Sequence, residues 1–230
     1  MTKTKMLHRA AERLFPDDTN RYGALPALLV LLTVVSGIVD AVSFLGLGHV
    51  FVANMTGNVV FLGFALAGAS DLSARHSLLA VGSFVAGAWA TGRAAGRITA
   101  EGRLFVSVTA AHTTLVGAAL AVVLTTGHRG GEVQAALIAL LGGGMGMQNA
   151  VVRRIAVPDL KTTVLTFTIT GLADDPFGAP RVRRLASLAA MFTGALCGAA
   201  LHLGPGPAAP PAGAPGGGGP RPGGPRARPP

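Results

Sequence analysis

Charge is the scarcest commodity in this sequence. Only 13% of its 230 residues are Asp, Glu, Lys or Arg, well short of the roughly 25% of a soluble domain. There is one cysteine, Cys197, which rules out an internal disulfide. It lies in an apolar run and is expected to be a small buried residue. No Cys/His cluster has metal-ligand spacing, so neither a metal nor another cofactor is expected. Enzyme signatures are missing as well. There is no HExxH, no nucleophile elbow and no pair of catalytic carboxylates. Gly142-Gly143-Gly144 lacks the lysine of a phosphate loop. No catalytic residue is assigned on this basis.

Hydrophobic sequence is abundant. Half of the residues are hydrophobic and the mean hydropathy is +0.53. Apolar segments run over Leu25–Gly46, Val50–Ala69, Ser77–Ala95, Leu104–Thr126, Val133–Val152, Pro158–Ala173 and Leu185–Leu203. At 1.5 Å rise per residue most are long enough to span a bilayer as helices. The fold class expected is all-α and integral to the membrane, with five to seven hydrophobic helices. Residues 1–23 form a basic cytoplasmic tail, 24–203 a polytopic membrane domain, and 204–230 a disordered tail of Pro, Gly, Ala and Arg that cannot bury a core. The first run follows Lys3, Lys5, Arg9, Arg13 and Arg21. It exceeds the apolar region of a signal peptide, so a retained membrane helix is expected.

The formal net charge is +9. In a soluble chain that would suggest nucleic acid. Here the basic residues end apolar segments, which suits anionic lipid headgroups and the positive-inside bias. The partner implied is the lipid bilayer, with no role for nucleic acid.

Polar residues inside the apolar runs are the candidates for function. Phe51–Gly63 carries Asn54, Thr56, Gly57 and Asn58, a density that hydrocarbon does not tolerate unless it faces protein or water. This segment reads as broken or re-entrant. Asp40 is the one acidic residue of the first segment, and Thr33, Ser36 and Ser43 share its helical face. It reads either as a proton- or cation-coupling carboxylate or as a hydrogen-bonded structural residue. Gln148, Asn149, Thr162, Thr163, Thr166, Thr168 and Thr170 form a matching polar half. His112 sits alone in the fourth segment and Trp89 near the end of the third. Both suit packing or interface roles. Small-residue stripes Ala88-Gly92-Gly96, Gly142-Gly146-Ala150 and Ala190-Gly194-Gly198 let helices approach closely and are compatible with a homo-oligomer.

An internal match joins the two polar halves. Gly37-Ile38-Val39-Asp40-Ala41 aligns with Gly146-Met147-Gln148-Asn149-Ala150, placing Asp40 opposite Asn149. After a one-residue gap Thr56 falls opposite Thr166. If all seven segments crossed, arginine-rich connections would lie on both sides. If segments two and six return to the side they left, Arg9–Arg21, Arg93–Arg103, Arg153–Lys161 and Arg181–Arg184 all lie in the cytoplasm. The duplication is then inverted, an architecture of secondary transporters.

GIVDAVSFLGLGHVFVANMTGN and GMQNAVVRRIAVPDLKTTVLTFTITGLA resemble the two signature blocks of the YoaK family, the domain of unknown function numbered 1275. The resemblance extends over about Leu25–Leu203 and implies a bacterial multi-pass inner-membrane protein, with no established substrate or activity. Thr166-Phe167-Thr168 stands where the family pattern leads one to expect a Thr-Gly pair. Two functions follow from the residues. One is a permease for a small polar solute or cation, with Asp40, Asn54, Thr56, Asn58, Gln148, Asn149 and Thr166 along its path. The other is a non-transporting scaffold or assembly factor in which the same groups hold helices together.

Overall fold

The computed structural model describes residues 25–155, 165–174 and 179–204. The two tails, Thr162 and Thr163 lie outside the described residues. Seven helices and no strand occur among those described: α1 Leu25–Gly46, α2 Met55–Leu66, α3 Ala74–Ala95, α4 Glu101–Thr126, α5 Gly131–Ile155, α6 Leu165–Asp174 and α7 Ala179–Leu203. Five have 22 to 26 residues; α2 has 12 and α6 has 10. Four windows, 25–46, 101–126, 131–155 and 181–203, are long and apolar enough to cross a membrane. The fifth long helix, α3, is less apolar but packs closely against α5. The fold is all-α and that of a membrane protein.

Cross-helix contacts fix the directions. Leu29 of α1 shares a cluster with Val151 and Val152 of α5, and Gln134 at the start of α5 reaches the carbonyl of Gly46 at the end of α1. The two helices are therefore antiparallel. Val34 meets Gly194, Ile38 meets Gly198 and Gly46 meets His202, so α1 and α7 run parallel. Ala80 lies on Gly142, Thr91 Oγ1 donates to Met147 O at 3.4 Å, and Ala95 clusters with Val151. α3 is thus parallel to α5. His112 packs on Gly144 while Leu104 joins Val151 and Ala119 joins Leu137, so α4 is antiparallel to α5.

Those directions place the start of α1, the α3–α4 connection, the end of α5 and the start of α7 at one end. Arg93, Arg97, Arg103, Arg153, Arg154, Arg181, Arg183 and Arg184 gather there. The opposite end carries an exposed ion pair, Arg75–Glu132 at 3.0 Å. Trp89 is 62% exposed with the Arg93 guanidinium 4.7 Å over its ring. An exposed amphipathic ring with a cation over it, near the basic end, has the character of an interface anchor.

Because α1 ends and α3 begins at the same end, the segment between them returns to the side it left. After Gly46 the chain turns through Gly48 (φ 83) and His49 (φ 59), both left-handed. It then descends until the Val52 and Ala53 amides reach Asp40. Asp40 lies six residues below the end of α1, roughly 9 Å deep at 1.5 Å per residue. α2 climbs back along α3. α5 ends and α7 begins at the basic end, so the segment containing α6 likewise returns to its own side, and α6 lies on α7.

The helix pairs repeat with a constant register. A Cβ on Gly37 would strike the carbonyl of Met191, and one on Gly146 would strike the carbonyl of Phe84. Gly194 is pressed in the same way on Val34 O, and Gly87 on Gly143 O. In the alignment above Gly37 pairs with Gly146 and Val34 with Gly143. In α3 and α7, Phe84 then pairs with Met191, Gly87 with Gly194, and Thr91 with Gly198. The same contact is therefore made twice, by exchanged partners. α1 with α6 and α7 forms one bundle; α5 with α2 and α3 forms the other, and α4 covers α5. Since α1 and α5 are antiparallel, the duplication is inverted. Four backbone-to-backbone approaches explain these glycines: any side chain would force the helices apart, and close approach is how helices gain packing in lipid.

Two readings from sequence are corrected here. Cys197 is exposed, because an apolar run in a membrane helix includes the side that faces lipid. Gly92 has open space beside it and Gly96 meets only its own turn, so Ala88-Gly92-Gly96 is not an internal packing stripe; Gly87 is the α3 glycine that packs. Within the second segment Val50–Asn54 is non-helical and the helix runs from Met55.

Candidate functional site

The polar stripe of α1 is satisfied locally. Thr33 Oγ1 donates to Leu29 O at 2.9 Å, Ser36 Oγ to Leu32 O at 2.9 Å, and Ser43 Oγ to Asp40 O at 3.1 Å. Returning a hydroxyl to the previous turn is the low-energy way to hold Ser and Thr in an apolar helix. Asp40 is 4% exposed and has no such option. Its Oδ1 accepts from Val52 N at 3.0 Å and Ala53 N at 2.7 Å, and the Asn54 amide also bonds to the carboxylate. These donors precede α2, where no carbonyl of a previous turn exists to take them. Asp40 thereby caps, from a neighbouring helix, the deepest point of the re-entrant chain.

Asn58 closes the same loop from within. Its Nδ2 donates to Phe51 O at 2.6 Å and its Oδ1 accepts from Phe51 N at 2.9 Å, and the residue is fully buried. The Phe51 ring stacks on Phe44 and on Phe61, with centroids 5.0 and 5.7 Å away, and those two rings are 6.0 Å apart, so the three form a triangular cluster. A Cβ on Gly57 would lie 2.7 Å from the Phe51 ring. Gly57 is therefore a helical glycine that makes room for an aromatic ring. Asn54 and Thr56 are exposed at the start of α2, and Thr166 is exposed at the start of α6.

At the crossing of α1 and α5, Gln148 Nε2 donates to Ser36 Oγ at 3.1 Å. Both residues are buried. The repeat places Met145 opposite Ser36 and Val39 opposite Gln148, and Val39 and Met145 indeed share a cluster. The Ser36–Gln148 hydrogen bond and the cluster that holds Val39 and Met145 thus lie about the pseudo-twofold axis, one polar and one apolar. Asn149 Nδ2 donates to Met145 O at 3.0 Å within its own helix.

The candidate residues therefore divide. Asp40 and Asn58 meet on the re-entrant loop. Gln148 joins Ser36 between the bundles. Asn54, Thr56 and Thr166 are at the short helices' leading ends, and Asn149 bonds to its own helix. Residues missed by the sequence reading are the Val52 and Ala53 amides and the Phe51 backbone. Every residue has those groups, so no side-chain pattern announces them. Among the described residues no group of three or more His, Cys, Asp or Glu is placed to hold a metal ion.

The family model described as Protein of unknown function (DUF1275) matches residues 28–214. The chain belongs to the DUF1275 family. It is 34% identical over 152 residues to the UPF0700 transmembrane protein YoaK of Bacillus subtilis (strain 168), covering 66% of this chain and 67% of that one. No solved structure matches it. The DUF1275 match includes both re-entrant segments and all the candidate residues, so the polar seam lies within the family's own domain and not in either tail.

Proposed function

We propose that the protein is a permease for a small polar solute in the cytoplasmic membrane, with its basic end in the cytoplasm. The observation that carries this reading is the buried Ser36–Gln148 pair, set where two symmetry-related bundles cross. A polar contact at such a crossing marks a solute position when the bundles can rock about it. Asn54, Thr56 and Thr166 line the approaches, Asp40 and Asn58 hold the re-entrant loop, and Asn149 lies one residue beyond Gln148 on α5. No enzymatic step enters this reading.

The scaffold reading also has an observation in its favour. Asp40 and Asn58 spend their hydrogen bonds on their own loop. Purified protein in liposomes separates the two. Against a panel of small amides, amines, polyols and amino acids, a permease accelerates entry of at least one solute roughly tenfold over empty liposomes. Asp40→Asn folds and inserts normally, and a coupling role for the charge appears as loss of uphill movement of that solute. No acceleration for any solute supports the scaffold.

A further inference from the structure

Proton counting at the α1–α5 crossing leaves one group open. Ser36 has a single hydroxyl proton, and it goes to Leu32 O at 2.9 Å. The Ser36 oxygen can then only accept, so Gln148 must present its NH2 to it, as the 3.1 Å Nε2–Oγ contact has it. Gln148 Oε1 consequently points elsewhere. It is buried and has no hydrogen-bond partner, in a residue 2% exposed. An amide oxygen left alone in a low-dielectric interior is destabilising, and native structures fill such positions.

The groups nearby define what fills it. Thr33, Ser36 and Ser43 have committed their protons to carbonyls, and the Val52 and Ala53 amides are committed to Asp40. What stays open on Gln148 is the Oε1 acceptor, beside the second proton of its own NH2. A ligand with an N–H to give meets Oε1, whereas an anion would leave it unmet. A second buried atom without a partner, His112 Nε2 of α4, belongs to a ring that lies against Gly144, one turn before Gln148 on α5.

We propose that Gln148 Oε1 is the binding point for a small N–H donor, an ammonium-type cation or a primary amide, held at the seam between the two bundles. As the solute of the permease above, this ligand rests on that reading; as a bound molecule it is tested alone. The site is closed around Gln148, so the ligand is small and its entry separates the bundles.

The test is thermal unfolding of the purified full chain with methylammonium chloride or acetamide, against sodium chloride and glycerol. One of the two raises the midpoint by roughly 5 °C at a hundredfold excess over its dissociation constant; which one decides between charged and neutral donors. Gln148→Leu loses the shift, and Gln148→Glu, which keeps an acceptor oxygen, retains it for methylammonium. Should the leucine variant not fold, Gln148→Met takes its place. The proposal is overturned if neither compound shifts the wild type beyond its control, or if Gln148→Leu responds as the wild type does. Binding without flux removes the permease and keeps the site; flux unchanged in Gln148→Leu removes the site and keeps the permease.

Discussion

Asp40→Ala will destabilise the protein by about 3–5 kcal/mol, and Asp40→Asn by less than about 1.5 kcal/mol. The alanine leaves the Val52 and Ala53 amides without an acceptor in a buried place. Each unmet buried donor costs about 1–3 kcal/mol, and bonds to a charged acceptor stand at the upper end. Asparagine keeps an Oδ1 where both donors already converge, and the repeat itself carries an amide, Asn149, at the equivalent position. Unfolding of each variant in mixed micelles measures the difference. Equal losses for Ala and Asn would mean that the charge, and not the acceptor, holds the loop. Equal stability for wild type and Asp40→Ala would mean that the latch is dispensable.

Gly87→Val and Gly194→Val will be similarly damaging, each by about 3 kcal/mol or more, although they lie in different bundles. In each case the new Cβ meets a backbone carbonyl, Gly143 O or Val34 O, which no rotamer change can move aside. Overpacking against flexible side chains alone costs about 1–3 kcal/mol. Gly92→Ala is the control. Nothing lies within 4 Å of its added carbon, and glycine in a helix interior is about 1 kcal/mol worse than alanine, so that variant is neutral or slightly more stable. Expression level and unfolding midpoint are the readouts. A large loss at one of Gly87 and Gly194 with none at the other would break the symmetry of the two bundles.

Much of this arrangement could be read from residue types. The bounds of α1 at Leu25 and Gly46 are legible because a long apolar run with one charged residue, Asp40, ends in glycine-rich sequence. The side to which the second and sixth segments return followed from arginine placement, since charge at bilayer ends is costly on the wrong side and the bias is strong. The five-residue match around Asp40 and Asn149 carried the true register of the repeat. Helix partners were harder. A glycine stripe states that something comes close, not what: Gly92 of the α3 stripe faces open space, and Gly87, outside it, is the glycine that packs. Hydropathy treats protein-facing and lipid-facing positions alike, which is why Cys197 was read as buried. Asp40 and Asn58 stand out in the sequence as polar residues in an apolar setting, and both are buried. Their partners were backbone groups, which carry no residue-specific signal.

The central claim is that the chain between Gly46 and Ala74 enters the bilayer and leaves on the side it came from. Site-directed labelling tests this directly. With Cys197 replaced by alanine, single cysteines are placed at Ser70, Arg97, Gly130 and Arg153 and treated in intact cells with a membrane-impermeant maleimide. Ser70 and Gly130 are expected to react from outside, and Arg97 and Arg153 only after permeabilisation. Reaction of Ser70 from the cytoplasmic side, opposite Gly130, would make α2 a full crossing and contradict the account.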